Sequence, residues 1–275
     1  MNQTSVQTAL SGDFIAKLEH IECSYWMQYY RSSNHLKAYS SIIDGGVACA
    51  MPEIDILAMN RVIGVGSENT LSPGTLEHII RFYQSAGSSR FFIQLPPAVA
   101  DPETIQLLTS YGFRHHNNWT KLYRNVHESA TETESELTIR VIDKSEADLF
   151  AQIIFMSFDW EDTRIIPWLA SVVGSRGYRH YIVRKAGTAI AAGALFTDGE
   201  MASMAFAGTL APFRGLGAQT LLIKTRLNDA LQAGATIITA ETAEETGSNK
   251  VNSYRNMIKH GFTHAYNRQN WLFEF

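Results

Sequence analysis

The chemistry of this chain is most legible in the segment Ala211-Pro-Phe-Arg-Gly-Leu-Gly-Ala-Gln-Thr-Leu-Leu222. Gly215 and Gly217 make a soft turn just before an apolar run with helical spacing, so a helix starts there with amides that have no intrahelical acceptor. Such amides, with the positive end of the helix dipole behind them, can hold a pyrophosphate without dedicated side chains. Arg214 would add a charge-assisted contact, and the backbone of Gly215, Leu216, Gly217, Ala218, Gln219 and Thr220 would supply the rest of the seat. The glycines alone are equally consistent with an ordinary softened helix start. The absence of Gly-Lys-Ser/Thr and of Gly-x-Gly-x-x-Gly argues against a kinase-like NTPase and a dinucleotide-dependent dehydrogenase.

The elements that must position this turn follow from periodicity. Strand-like runs at 178–184, 188–196 and 201–210 are separated by Lys185-Ala-Gly187 and Asp198-Gly199, which makes an antiparallel meander leading into the turn. A strand at 137–142 and helices opening near Ser145 and covering 165–173 come before the meander. A helix at 217–233, a strand at 235–241, a helix near 249–260 and an aromatic tail at 264–275 come after it. The C-terminal half thus reads β-α-α-β-β-β-α-β-α-β.

This order, with Pro-x-Arg-Gly-x-Gly after the fourth strand and Leu221-Leu222 in the following helix, resembles the acetyl-coenzyme A motif of the GNAT acetyltransferase superfamily. The family pattern is Arg/Gln-x-x-Gly-x-Gly/Ala, and here Gln219 takes the last small-residue slot. The segment Ser253-Tyr-Arg-Asn-Met-Ile-Lys-His-Gly-Phe262 is similar to the family's second motif, with Met257 where many relatives place a tyrosine. The resemblance implies an α/β (α+β) fold of mixed, mostly antiparallel twisted sheet flanked by helices. It implies acetyl-coenzyme A as donor, no metal, and direct transfer to an amine acceptor on a small molecule or peptide. By the same likeness Thr209 and Leu210 would pair with the pantetheine amides, and Asn252, Ser253 and Asn256 would contact the cofactor. Glu241, at the end of the strand that would splay from Thr209, becomes the candidate general base, with solvation at a strand end as the competing account. Tyr254, one turn before Met257, becomes the candidate acid for the departing thiolate, with simple packing as the alternative. The loop Asp159-Trp-Glu-Asp162 falls where relatives line the acceptor site, although Asp162 could instead cap the next helix and Trp160 could simply pack. A non-catalytic acyl-coenzyme A-binding or regulatory module is the competing function.

Three segments of the first half recur in the same order in the second, which favours duplication over the chance likeness that short helix–glycine–strand units can show in any α/β protein. Helices at 75–87 and 220–234 both close on Ala-Gly, with Gly87 and Gly234 lying 147 residues apart. Short buried strands follow both, and then Gly112-Phe-Arg-His115 and Gly261-Phe-Thr-His264 recur 149 residues apart. Between Tyr123 and Leu137 the single large apolar residue is Val126, a linker composition. We therefore expect tandem GNAT-like domains over 1–125 and 137–275 with a linker at 126–136. In the first copy a strand over 54–63 should lead to Gly64-Val-Gly-Ser-Glu-Asn-Thr-Leu-Ser-Pro-Gly74. This has a helix start at Ser72-Pro73 but no phosphate motif, and Glu68 would repel phosphate, so this domain is expected to hold no cofactor and to help form the acceptor cleft. An amphipathic helix over 13–30, with Phe14, Leu18, Ile21, Tyr25, Trp26 and Tyr29 on one stripe, should supply its core or face the other domain.

Composition narrows the classes further. In 275 residues, 45% hydrophobic and 18% charged, there is enough apolar surface for two cores. The formal charge of −4 offers no footprint for nucleic acid or an anionic membrane. Cys23 and Cys49 fit neither a disulfide framework nor a zinc site. The N-terminus lacks a basic stretch followed by an apolar run, and no stretch reaches the ~20 apolar residues of a bilayer span. A cytoplasmic location is expected, with the chain a monomer or homodimer.

Overall fold

The computed structural model describes residues 10–32, 36–67, 70–127 and 136–275. The first half contains α1 (Gly12–Ser32), β1 (Tyr39–Ile43), β2 (Gly46–Ala50), β3 (Arg61–Ile63), α2 (Pro73–Ala86), β4 (Arg90–Leu95), α3 (Pro102–Ser110) and β5 (Arg114–Asn125). The second contains β6 (Leu137–Ile142), α4 (Ala147–Ser157), α5 (Ile165–Ala170), β7 (Tyr178–Lys185), β8 (Thr188–Asp198) and β9 (Met201–Thr209). It continues with α6 (Ala218–Gln232), β10 (Ile237–Ala243), α7 (Asn252–Lys259) and β11 (Thr263–Glu274). The element order expected for the second half is present. Most of the expected linker, residues 128–135, lies outside the described residues.

Two local expectations change. The strand expected over 54–63 contracts to Arg61–Ile63, after a 3-10 turn at Leu57–Met59. Asn60 is responsible: its Oδ1 accepts from the Met51 amide at 2.9 Å and closes the segment into a loop before pairing can begin. Helix α4 starts at Ala147 rather than at Ser145, because Asp143 accepts from the Ser145 amide at 2.8 Å and winds residues 144–146 into a 3-10 turn.

The eleven strands among the described residues join one mixed sheet in the order β1-β2-β3-β4-β11-β5-β10-β9-β8-β7-β6. The neighbours are antiparallel except β3–β4 and β9–β10, which α2 and α6 connect as parallel crossovers. The final strands of the two halves are exchanged. β11 lies between β4 and β5, and β10 pairs along its length with β5, from Ile237 opposite Asn125 to Ala243 opposite Trp119. Helices α2 and α3 cover the first half of one sheet face with Leu76, Ile79, Tyr83 and Leu108, and α6 and α7 cover the second half. Helices α1, α4 and α5 cover the other face, where Trp26 and Tyr29 of α1 meet Trp168 of α5 at ring distances of 6.2 and 4.9 Å.

Helix α1 buries Leu18, Ile21, Tyr25, Trp26 and Tyr29 of its expected stripe, leaves Phe14 half-buried, and buries Glu19 and Glu22 as well. Glu19 accepts from Arg268 of β11 at 3.0 Å and from the Tyr266 hydroxyl at 2.7 Å. Glu22 pairs with Arg268, with Lys121 of β5 and, at 3.8 Å, with Arg61 of β3. Glu241 of β10 completes the cluster through Arg61 and Arg268. Three carboxylates thus meet three cations over the exchanged strands. Burial pushes the Glu22 carboxyl up, but the charges of Arg268, Lys121 and Arg61 outweigh it and hold the group well below its ordinary 4.5. The unfolded chain therefore binds a proton at Glu22 more readily than the folded one. The stability contributed is complete above about pH 4.5 and is lost as pH falls below it. Replacing Glu22 by Gln strands buried cations and should cost about 3–5 kcal/mol at neutral pH. In urea titrations the wild-type midpoint should fall between about pH 5 and about pH 3, and Glu22→Gln should show a flatter dependence over that range.

Candidate functional site

Strands β9 and β10 pair only where Met201–Ser203 meet Ile237–Thr239, and the rest of each strand diverges. Beside this opening the β8–β9 register shifts between Gly193 and Leu195, so that Ala205 and Phe206 of β9 face the single residue Ala194. This β-bulge sits on the strand that borders the opening and disrupts the regular ladder there. Thr209 ends β9 opposite Ala191, and the Leu210 amide donates to the Ile190 carbonyl at 3.0 Å.

The chain then makes a 3-10 turn at Ala211–Phe213 and enters α6 through two left-handed glycines, Gly215 at φ 84° and Gly217 at φ 89°. Gly217 is the N-cap and has no side chain to bond the first turn, so the amides of Ala218, Gln219 and Thr220 have no intrahelical acceptor. A Cβ at Gly215 or Gly217 would meet nothing within 4 Å. Glycine is required at these positions by backbone conformation, and the space beside them is open. Arg214 bends back, its Nε 3.4 Å from the Thr209 carbonyl and its Nη2 3.4 Å from the Ser157 carbonyl. Gln219 Nε2 donates to Thr209 Oγ1 at 3.0 Å. Leu216 is exposed, Ala218 is buried and Thr220 is half-buried.

The equivalent turn of the first half is closed. A Cβ at Gly64 would lie 2.7 Å from Cys23 Sγ, and one at Gly66 would lie 2.4 Å from Val99 Cγ1. These glycines serve packing. Ser72 Oγ caps the Thr75 amide at 3.1 Å, Pro73 has no N–H to offer, and the Asp44 carboxylate bonds Thr75 Oγ1 at the same helix start. Side chains satisfy this terminus, and a fixed negative charge occupies it. Glu68, expected to repel phosphate, lies outside the described residues.

Asn252 and Ser253 are exposed on the first turn of α7, Asn256 is half-buried, and the Asn256 carbonyl lies 2.7 Å from His260 Nδ1. Tyr254 is half-buried against the apolar cluster that includes Phe213 and Leu221, and Met257 is buried within that cluster. Glu241 lies on the diverging part of β10, on the α1 face. Its Oε1 accepts from Arg61 at 3.1 Å, and its Oε2 is paired with Arg268 and is 3.4 Å from Gln94 Nε2. Arg61 in turn lies over the Trp26 ring at 4.0 Å. Asp162 binds Arg164 through Nε at 2.9 Å and accepts its amide at 3.1 Å, forming the turn into α5, while Trp160 stacks on Phe158 at 5.0 Å. Asp159 and Glu161 are exposed. No group of three or more metal-ligating side chains occurs among the described residues.

The partners of Glu241 come from Arg61, Gln94 and Arg268, and sequence reasoning did not single them out. A signal did exist in α1, since Glu19, Glu22, Trp26 and Tyr29 recur at helical spacing and two carboxylates therefore share the buried stripe.

The fold has solved counterparts. A GCN5-related N-acetyltransferase from Kribbella flavida aligns over 92% of this chain and 94% of its own, at 16% identity and a TM-score of 0.61. A tandem GNAT protein from the clavulanic acid biosynthesis pathway aligns over 96% and 94%, at 12% identity and a TM-score of 0.61. A GCN5-related N-acetyltransferase from Sphaerobacter thermophilus aligns over 83% and 80%, at 11% identity and a TM-score of 0.60. No protein-family model matches the sequence, and no curated protein matches it. At these identities the likeness is one of architecture: the chain has the fold of these tandem GNAT structures.

The two glycine turns predict different costs. Gly217→Ala should lose about 1–2 kcal/mol from left-handed strain alone. Gly66→Ala should lose more, because the same strain is joined by a clash with Val99. Thermal melts of the two variants side by side check this, and equal losses would contradict the assignment of Gly66 to packing.

Proposed function

We propose that the protein is an N-acyltransferase that moves an acetyl group from acetyl-coenzyme A to a primary amine of a small molecule or peptide, directly, within a ternary complex. The observation that carries this reading is the open start of α6. Two left-handed glycines with free space beside them present uncapped amides next to a strand opening, while the matching turn of the first half is filled by its own side chains. The pyrophosphate would lie on the amides of Gly215 to Thr220, with Arg214 swinging from its long contacts to pair with it. Pantetheine would extend along Thr209 and Leu210 as an added half-strand, and Asn252, Ser253 and Asn256 would flank the cofactor from α7. Residues 137–275 would hold the donor, and residues 1–125 would supply Arg61, Gln94 and Trp26 to the acceptor side of the cleft.

In the chemical step the neutral amine nitrogen attacks the thioester carbon, the C–S bond breaks, and coenzyme A departs as a thiolate that takes up a proton. An amide of the β9 bulge would stabilise the oxyanion. Glu241 is the proposed base. Donors already occupy both of its oxygens, so a water molecule between it and the ammonium would carry the proton. Tyr254 is the proposed acid for the thiolate. Holding both reactants removes the entropy cost of their encounter.

A non-catalytic acyl-coenzyme A-binding role is the second reading, favoured by Met257 in the core and by the fully engaged carboxylate of Glu241. No described helix is long and apolar enough to cross a membrane. Acetyl-coenzyme A and coenzyme A, but not ATP, should raise the melting temperature, by about 2.7 kcal/mol of stabilisation at ~100 times the dissociation constant. Gly217→Glu should remain folded and abolish that shift. No shift in the wild type at saturating cofactor would end the acyltransferase reading. Against a panel of amines, Glu241→Gln should lower kcat by ~10²–10⁴ with little change in KM for acetyl-coenzyme A. Cofactor binding without turnover on any amine would favour the binding module.

A further inference from the structure

Arg226 is a charge in an unusual place. It lies on α6 about two turns beyond the glycine turn and is fully buried. Leu222, Ile223 and Leu227, its neighbours on the helix, belong to the buried apolar cluster of this sheet face, and the Tyr181 hydroxyl is the titratable group that acts on it. No carboxylate pairs with it among the described residues. The nearby acid Asp229 is taken by the Tyr181 hydroxyl at 2.6 Å and by Arg179 at 3.2 Å. Burial lowers the Arg226 guanidinium to about 10, against a smaller opposing effect from Tyr181. An apolar side chain would fill this position without any desolvation cost, so the retained charge calls for a use.

Its hydrogen bonds indicate one. Nε returns to the Leu222 carbonyl at 3.1 Å, which locks the side chain along its own helix, and Nη1 reaches across to the Ala194 carbonyl at 3.2 Å. Ala194 is the residue of β8 that faces the two bulged residues Ala205 and Phe206, at the break in the β8–β9 register. The adjoining residue, Gly193, makes room: a Cβ there would lie 3.1 Å from Leu222 Cδ2, 3.4 Å from Ala207 Cβ and 3.6 Å from the Arg226 guanidinium carbon. Nη2 has no partner among the described residues, so this cation is held against the strand pair by one carbonyl.

We propose that Arg226 is a positioning residue for acyl transfer, fixing the β8–β9 bulge and placing an uncompensated positive charge behind the amide that polarises the thioester carbonyl. The inference rests on the acyltransferase reading above and adds to it a residue that touches neither cofactor nor acceptor. Charge behind a preorganised donor strengthens its pull on a developing oxyanion in a low-dielectric setting.

The test uses the full chain with [1-¹³C]acetyl-coenzyme A and reads the carbonyl stretch of the bound thioester by isotope-edited infrared spectroscopy. Binding of coenzyme A is measured by calorimetry in parallel. The wild type should shift the stretch to lower frequency on binding. Arg226→Met should lose at least half of that shift while keeping coenzyme A affinity within about twofold, and Arg226→Lys should restore most of it. Gly193→Ala, which keeps the charge but crowds the guanidinium, provides a second, independent variant and should also reduce the shift. An undiminished shift in Arg226→Met or Gly193→Ala that binds acetyl-coenzyme A would overturn the role of Arg226 and leave the acyltransferase reading intact. Failure of the wild type to bind either form of coenzyme A would overturn both.

Discussion

The buried ion cluster beneath α1 is the constraint on which the rest of the architecture depends. Its members come from α1, β3, β5, β10 and β11: Glu22 meets Arg61 and Lys121 within the first half, and Arg268 meets Glu241 within the second, but the full set of pairings exists only when both halves have folded together. Taking such charges out of water is costly, and removing a single member strands the others. What the cluster contributes is registration. A one-residue slip of β5 or β11 would turn Lys121 or Arg268 to the opposite sheet face, away from its carboxylates and into the apolar side covered by α2, α3, α6 and α7. The same cluster holds α1 across the join, where its aromatic stripe completes the second half's core around Trp168 and Phe206. Glu241 belongs to both the cluster and the strand opening, so the geometry of that opening is tied to the contact between the halves.

Two copies of one pattern end in different local structures through small changes. In each, a strand ends, the chain passes through left-handed glycines, and a helix begins. In the first copy the glycines accommodate Cys23 and Val99, and Ser72, Pro73 and Asp44 complete the helix start from within the protein. In the second, Gly215 and Gly217 face open space and the helix has no side-chain cap. A helix terminus that the protein leaves unsatisfied is a binding opportunity, whereas a capped one is a stable end. The bulge in β9 adds a further break in regular bonding beside the opening. The uncapped helix start and the β8–β9 break thus both adjoin β9, while further register shifts lie in β5–β11 and β7–β8.

Much of the local structure could be read directly. The 3.6-residue and two-residue periodicities located nearly every helix and strand of the second half, since each buries one face and the pattern of apolar residues records which. The near-constant spacing of Gly87 with Gly234 and of Gly112 with Gly261 revealed the duplication, and all four glycines have positive φ. The segment over 54–63 misled because a single asparagine side chain, Asn60, satisfies the Met51 backbone and diverts the chain before a strand can form, and side-chain bonding of this kind has no period.

The sequence by itself determined the order of elements, the duplication, and the glycine turn with its exposed amides, because each depends on the conformational preferences of residues close together in the chain. The tertiary structure alone decided the exchange of β5 and β11, the burial of Glu19, Glu22, Arg61, Lys121 and Arg268, and the engagement of Glu241. Those outcomes depend on charges up to 249 residues apart finding one another. A charged residue in a sequence reads as a surface residue until its counter-ion is placed, and only the fold supplies that placement.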